Sequence, residues 1–251
     1  MTDREELARK AASVQQLEEG NRIRTALLAA VSHDLRTPLA GIKAAVSSLR
    51  AEDMDWTPED ERALLAAVED SADRLDAIVA NLLDLSRLQT GVVAPTTRVV
   101  GLDDVVARCV RTVSEPSRVE LSFTPELPDV RVDPGLLDRV VVNLVDNALH
   151  HAPRGTPVQV AASSLGNRVQ LRIVDRGPGV PDVDKERIFE PFQRLGDTPG
   201  GDGVGLGLAV AKGLTEAMGG SLIAEDTPGG GLTMIVELRA QPMRRIEEVT
   251  A

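Results

Sequence analysis

The 251-residue chain has no tyrosine, one tryptophan and three phenylalanines, so aromatics make up only 2% of it. A core without large rings must be packed from Leu, Val and Ala. The single cysteine, Cys109, excludes an internal disulfide and reads as a small core residue. Positive charge is also short: 28 Lys and Arg stand against 39 Asp and Glu, a formal net charge of −11. That balance argues against nucleic acid or anionic lipid as a main partner. No apolar run reaches membrane-spanning length and no signal-peptide pattern opens the chain. The expected location is cytoplasmic, with room for this being the cytosolic portion of an inner-membrane protein and no membrane contact by this segment. What the chain does have is 42% hydrophobic and 27% charged residues over a length that suits two domains.

Its halves differ in texture. Up to about Leu88 there is no strand signal, and apolar residues recur at helical spacing: Leu64, Leu65, Val68, Leu75, Ile78, Val79, Leu82 and Leu85. The break "AEDMDWTPEDE" offers Thr57 as an N-cap and Pro58 at the first helical position, followed by acids. This predicts a hairpin of two long helices over residues 1–90. A lone hairpin cannot cover such stripes, whereas two copies form a four-helix bundle, so a homodimer is expected.

Gly91, Pro95 and Gly101 then punctuate "QTGVVAPTTRVVG", read as a linker over 91–101. Beyond it, over 102–240, β-branched runs alternate with helical ones. Strands are expected in "RVELSF", "DVRVD", "PVQVAAS", "RVQLRIVD", "SLIAED" and "LTMIVELR", and helices over Leu102–Val113, Gly135–His150 and Leu206–Met218. The fold class is therefore α+β, a mixed sheet with helices on one face. Residues 241–251 read as a tail of frayed helix or disorder.

Within the first helix lies "SHDLRTPL". At roughly 100° per residue, with His33 at zero, Leu28, Val31, Leu35, Ile42, Val46 and Leu49 fall between about 160° and 220°. Leu27 and Leu39 widen that arc. His33 is thus expected to face solvent opposite the apolar stripe. Asp34 can fix its tautomer and leave the other ring nitrogen nucleophilic, and Pro38 removes a backbone hydrogen bond and is expected to kink the helix.

In the second half, "DRVVVNLVDNALHHAP" puts Asn143 and Asn147 on one helix face. Their carbonyl oxygens suit a hard cation and their amide N–H groups suit phosphate. His150, His151 and Asp146 do not make a zinc site, since adjacent histidines face different ways. "IVDRGPGV" ends a strand run in Asp175, which can accept from a purine amino group while Gly177 and Gly179 let backbone approach the ring. "PGGDGVGLGLAVAKGL" brings Gly203, Gly205 and Gly207 into a helix start, an arrangement for phosphate on backbone N–H groups. It is neither a Walker loop nor a Rossmann fingerprint. Residues 180–202, rich in Pro, Gly and charge, read as a mobile lid.

Taken in order, "SHDLRTPL", "NLVDNALHHAP", "DRGPG", "IFEPFQR" and "GVGLGLAV" resemble the sensor histidine kinases of two-component signalling over about residues 20–240. The run around His33 further resembles the KdpD-type potassium-responsive kinases. The resemblance implies a helical-hairpin dimerisation and histidine-phosphotransfer domain followed by a Bergerat-type α/β sandwich that binds ATP. It implies that His33 takes the γ-phosphoryl group, with Asp34 as orienter or base. Asn143 and Asn147 would serve phosphate and Mg²⁺, Asn147 being the stronger metal candidate. Asp175 would read the adenine amino group beside Gly177 and Gly179, and Gly203, Gly205 and Gly207 the phosphates. Phe189 and Phe192 would anchor the lid and Arg194 would lie near the phosphates. The phosphoryl group would pass to an aspartate of a response-regulator receiver domain, and Thr37 would orient water to dephosphorylate that partner. Where the family commonly has Lys then Tyr, this chain has His150 then His151. Phosphate contact by His150 would then require its protonation, lowering activity as pH rises. Two rivals are a bare ATPase of the same superfamily and a non-catalytic scaffold. A third is a phosphatase without autokinase activity.

Overall fold

A computed structural model describes residues 31–51, 54–193 and 205–241. They divide into two compact units, the first ending at Ala80 and the second beginning at Asn81 and including residues 205–241.

The first unit contains helix α1 over residues 31–49 and most of helix α2, Pro58–Gln89. Thr57 caps α2 as expected. Its hydroxyl accepts from Asp60 N–H at 3.2 Å while Asp60 Oδ2 accepts from Thr57 N–H at 3.2 Å, a reciprocal box with Asp in the usual place of Glu. Glu59, Asp60 and Glu61 add negative charge at the positive end of the helix dipole. Two contacts tie the helices together. Trp56 Nε1 donates to the Ser48 carbonyl at 2.9 Å, and Gly41 sits where a Cβ would come within 3.1 Å of Ser71 Oγ.

On α1 the buried residues are Val31, Pro38 and Ala45, seven apart, with Leu35, Ile42 and Leu49 half-buried beside them. The rest of the stripe faces outward in the single chain, as expected of a lone hairpin: Leu39 is 50% and Val46 40% exposed. Helical structure continues through Pro38, which is itself buried. Leu27 and Leu28 lie outside the described residues.

The second unit is the mixed sheet. Strands β2 (Val119–Phe123), β4 (Val158–Leu165), β5 (Arg168–Val174), β7 (Leu232–Arg239) and β6 (Ser221–Asp226) lie in the order β2-β4-β5-β7-β6. Only β2–β4 is parallel; the other pairings are antiparallel. Register puts Ala162, Leu171, Val236 and Leu222 in one row across four strands. Val160, Ile173 and Met234 form the next row. Helices α3 (Leu102–Val110), α4 (Pro134–His151) and α5 (Gly207–Ala217) pack there, and Leu137, Leu144, Leu206 and Leu214 are buried. The opposite face is polar, with Gln170 donating to Glu237 and Arg172 to Glu225.

Three sequence expectations shift in detail. The stretch read as linker ends in a strand, β1 (Arg98–Val100), paired antiparallel with β3 (Val130–Val132). Helix α3 stops at Val110 and not Val113, where Arg111 and Thr112 N–H turn back to the carbonyls of Arg108 and Cys109. Within the segment read as a lid, residues 182–193 include two 3₁₀ turns with Ile188 and Phe189 buried. The tail beyond Gln241 lies outside the described residues.

Candidate functional site

On α1, His33 faces solvent, its side chain 72% exposed. Its Nδ1 lies 2.9 Å from Asp34 Oδ1, and Asp34 is largely covered. A carboxylate acceptor at Nδ1 fixes the tautomer that leaves Nε2 with its lone pair outward. One helical turn on, Thr37 Oγ1 donates to the His33 carbonyl at 3.4 Å.

In the second unit, α4 is the organising element. Asp133 caps it by accepting from the N–H groups of Gly135 and Leu136, with Pro134 at the first helical position. Its other oxygen accepts from Thr96 N–H at 2.8 Å, tying the stretch before β1 to the helix start. One face of α4 then presents Asn143, Asn147 and His150 at helical spacing, with His151 turned from it. Asn143 Oδ1 lies beside the first residue of α5, where a Cβ on Gly207 would come within 3.3 Å of it. The Asn147 amide is half-buried and, among the described residues, has no partner. His150 and His151 are both exposed and meet edge-on with ring centroids 4.9 Å apart. Desolvation holds the His151 imidazole below its usual proton affinity, helped by His150 and opposed by Asp175.

Asp175 directly follows β5 and is buried. One carboxylate oxygen accepts from Gly177 N–H at 2.7 Å and Leu232 N–H at 3.2 Å. The other, among the described residues, accepts nothing and is left for a donor from outside. The surrounding turn is built from close backbone approaches. A Cβ on Gly177 would come within 2.7 Å of the His151 carbonyl, and one on Gly231, at φ +114°, would overlap the Asp175 carbonyl. Gly231 was not singled out in the sequence; its only signal is "PGGG" in a hairpin turn. Gly179, also at positive φ, packs against Gly231.

Helix α5 starts without a side-chain cap, leaving its first-turn N–H groups for an anion. Gly205, at φ +67°, accepts at its carbonyl from Phe192 N–H and has no room for a Cβ against Gln193 and Phe192. Phe189 is buried with Lys212 Nζ 4.8 Å over its ring. Arg194 and Gly203 lie outside the described residues. Thus Asn143, at the middle of α4, meets the start of α5 at Gly207, and Asp175 and Gly177 lie beside the C-terminal end of α4.

Two polar pairs here went unnoticed in the sequence. Asn143 Nδ2 donates to Asn81 Oδ1 of α2 at 3.3 Å, and buried Asp84 pairs with Arg139 one turn away. Burial raises the Asp84 carboxyl more than Arg139 and Arg87 lower it. Their sequence signal was polar residues at i and i+3 within an otherwise apolar run, "VANLLDLSRL". Cys109 is buried, its thiol 3.3 Å from Asp138 and pushed up to about 12, as befits a core residue.

The donor set suits a hard divalent cation: two neutral amide oxygens one turn apart, with no cluster of three or more His, Cys, Asp or Glu among the described residues. Magnesium at such a site would take its remaining oxygens from water and from substrate phosphates.

Residues 23–91 match the His Kinase A (phospho-acceptor) domain, and residues 132–242 match the histidine kinase-, DNA gyrase B- and HSP90-like ATPase family. The sensor protein KdpD of Mycobacterium tuberculosis (strain ATCC 25618 / H37Rv) is 46% identical over 244 residues, 94% of this chain and 28% of that protein. The chain thus spans just over a quarter of that curated relative. Among solved structures, the mycobacterial sensor histidine kinase MprB is 30% identical at a TM-score of 0.51, over 59% of this chain and all of that one. Full-length ShkA in complex with AMPPNP is 28% identical at a TM-score of 0.59, over 86% of this chain and 46% of that one. With an exposed histidine on a capped helical hairpin and an Asn-Asp-Gly site on a mixed sheet, the chain belongs to the sensor histidine kinases and is similar to the KdpD type.

Proposed function

We propose that this chain transfers the γ-phosphoryl group of ATP to His33 and passes it to an aspartate of a separate response-regulator receiver domain. The observation that carries this is His33 itself, exposed on α1 with Nδ1 on Asp34, which leaves Nε2 as the nucleophile. Nε2 attacks phosphorus, the bond to the ADP oxygen breaks, and Asp34 stabilises the charge that develops on the ring or accepts its Nδ1 proton. Asp175 accepts from the adenine amino group through its free oxygen, with Gly177 and Gly179 lining the base. The N–H groups at the start of α5, with Gly203, Gly205 and Gly207, cradle the phosphates, joined by Arg194 and His150. Asn147, with Asn143 beside it, would hold Mg²⁺, whose charge would offset that of the phosphates during an in-line transfer. Catalysis of this kind is mostly positioning. The AMPPNP complex of ShkA supports the nucleotide assignment.

The domains follow: phosphotransfer over 1–90, a connection over 91–101 and ATP binding over 102–240. Leu39 and Val46 on α1 and Leu65 and Val79 on α2 are apolar and exposed. A second copy would cover them, so the hairpin works as a homodimer, in the cytoplasm and on the inner side of whatever membrane the whole protein spans. Among the described residues no helix is long and apolar enough to cross one. Thr37 gives the hairpin a water-orienting hydroxyl for removing phosphate from the partner.

Incubation with γ-labelled ATP and Mg²⁺ tests this. Wild type should acquire an alkali-stable, acid-labile label that His33→Gln lacks. ATP hydrolysis without label on the wild type would favour a bare ATPase.

A further inference from the structure

The last turns of α2 belong to the second unit and lie along α4 in antiparallel register. Asn81 meets Asn143, and Asp84 meets Arg139 four residues earlier on α4. Further along, Leu88 fills the space left by the missing side chain of Gly213 on α5, with its Cδ1 2.6 Å from where a Cβ would stand. An ion pair and a leucine seat thus follow a single amide–amide contact along the helix.

That contact has a direction. Asn143 donates from Nδ2 to Asn81 Oδ1, so its own Oδ1 is turned to the start of α5, beside Gly207. An asparagine amide can otherwise present either oxygen or nitrogen, and only the oxygen can ligate a cation or accept from its water shell. Resting on the nucleotide site proposed above, we infer that Asn81 is a positioning residue of that site: it holds Asn143 as an acceptor, so that Mg²⁺·nucleotide binding depends on where α2 sits. Partners that orient a ligating side chain typically matter 10–100-fold for metal affinity. The placement also gives α2 a means of control. Sliding or turning this helix by one residue would withdraw Asn81 and let the amide invert, without any change in the nucleotide-binding loops.

Replacing Asn81 by residues of different hydrogen-bonding character separates orientation from packing. Asn81→Asp keeps an acceptor facing Asn143, whereas Asn81→Leu keeps bulk and removes it. The full 251-residue chain is titrated with ADP by calorimetry, with and without Mg²⁺, alongside thermal melts. Asn81→Leu should lose about tenfold in Mg²⁺·ADP affinity, with metal-free ADP binding changed less than about twofold and an unchanged melting midpoint. Asn81→Asp should stay within about threefold of wild type in Mg²⁺. Equal losses in both variants, or a loss in Asn81→Leu that is the same without Mg²⁺, would overturn the inference. So would wild-type Mg²⁺ dependence in Asn81→Leu. A wild-type chain that binds no nucleotide at all would overturn the underlying assignment of the site, which is a distinguishable failure.

Discussion

The helical hairpin and the sheet unit bury their apolar residues very differently. The sheet unit is complete by itself: Leu102, Leu137, Leu144, Leu171 and Ile235 are almost wholly covered. In the hairpin, by contrast, Val31, Ala45 and Ile78 are buried while Leu65 is 56% exposed and Val79 46%. Both are Leu- and Val-rich sequences. One has spent its apolar surface inward, and the other still has a seam to offer.

The sharpest way to break that contrast is to charge the open seam. Leu65 and Val79 lie two heptads apart on one stripe of α2. Leu65→Lys with Val79→Glu should weaken self-association on the order of a thousandfold, taking two interface anchors at about 2 kcal/mol each. Sedimentation should show wild-type dimer and variant monomer at the same concentration, and a dimeric variant would place the seam elsewhere. A smaller effect is expected from deletions. Leu137→Ala should cost about 2–5 kcal/mol in chemical denaturation. Leu65→Ala in the monomeric background should cost no more than about 0.5 kcal/mol. Similar costs at both positions would erase the distinction.

The smallest effect concerns pH. The folded His151 binds its proton less readily than the unfolded chain does, chiefly through desolvation. The unfolded state therefore carries more protons through the histidine range, so stability rises with pH there and is lost as pH falls. Melting midpoints compared at pH 5.5 and 8 should differ less in His151→Gln than in wild type, and an equal difference would assign the slope to other groups.

Most of the sheet unit was legible because its signals are local. Strands β6 and β7 lie where their β-branched runs stand, and Asp133 and Thr57 cap helices with chemistry written in neighbouring residues. Strand β1 was not, since three residues among Thr, Pro and Gly carry no alternation and gain their structure from β3, thirty residues on. The α1 stripe was half legible. Hydrophobicity marks Leu39 and Val46 as residues that want cover but does not say whether the cover comes from α2 or from another chain. Buried Pro38 and Ala45 were passed over because neither scores as a core residue on side-chain size. Of the site, Asp175 and the paired asparagines were legible as motifs. The Asn81–Asn143 and Asp84–Arg139 pairs were not, because partners so far apart share no local pattern. Gly231 was missed because its requirement for no side chain comes from the Asp175 carbonyl across the sheet.

Helix α2 is one uninterrupted rod, yet its residues up to Ala80 fold with α1 and those from Asn81 fold with the sheet. The phospho-acceptor family signature runs on to residue 91 and includes this last stretch. Modularity by sequence and modularity by packing therefore part company within a single helix. A chimaera that exchanges hairpins between two such kinases at the end of α2 would bring in a foreign Asn81, Asp84 and Leu88 against a native Asn143, Arg139 and Gly213. The natural seam for exchange lies inside the helix, after Ala80, where the turns that follow can travel with the unit they help to build.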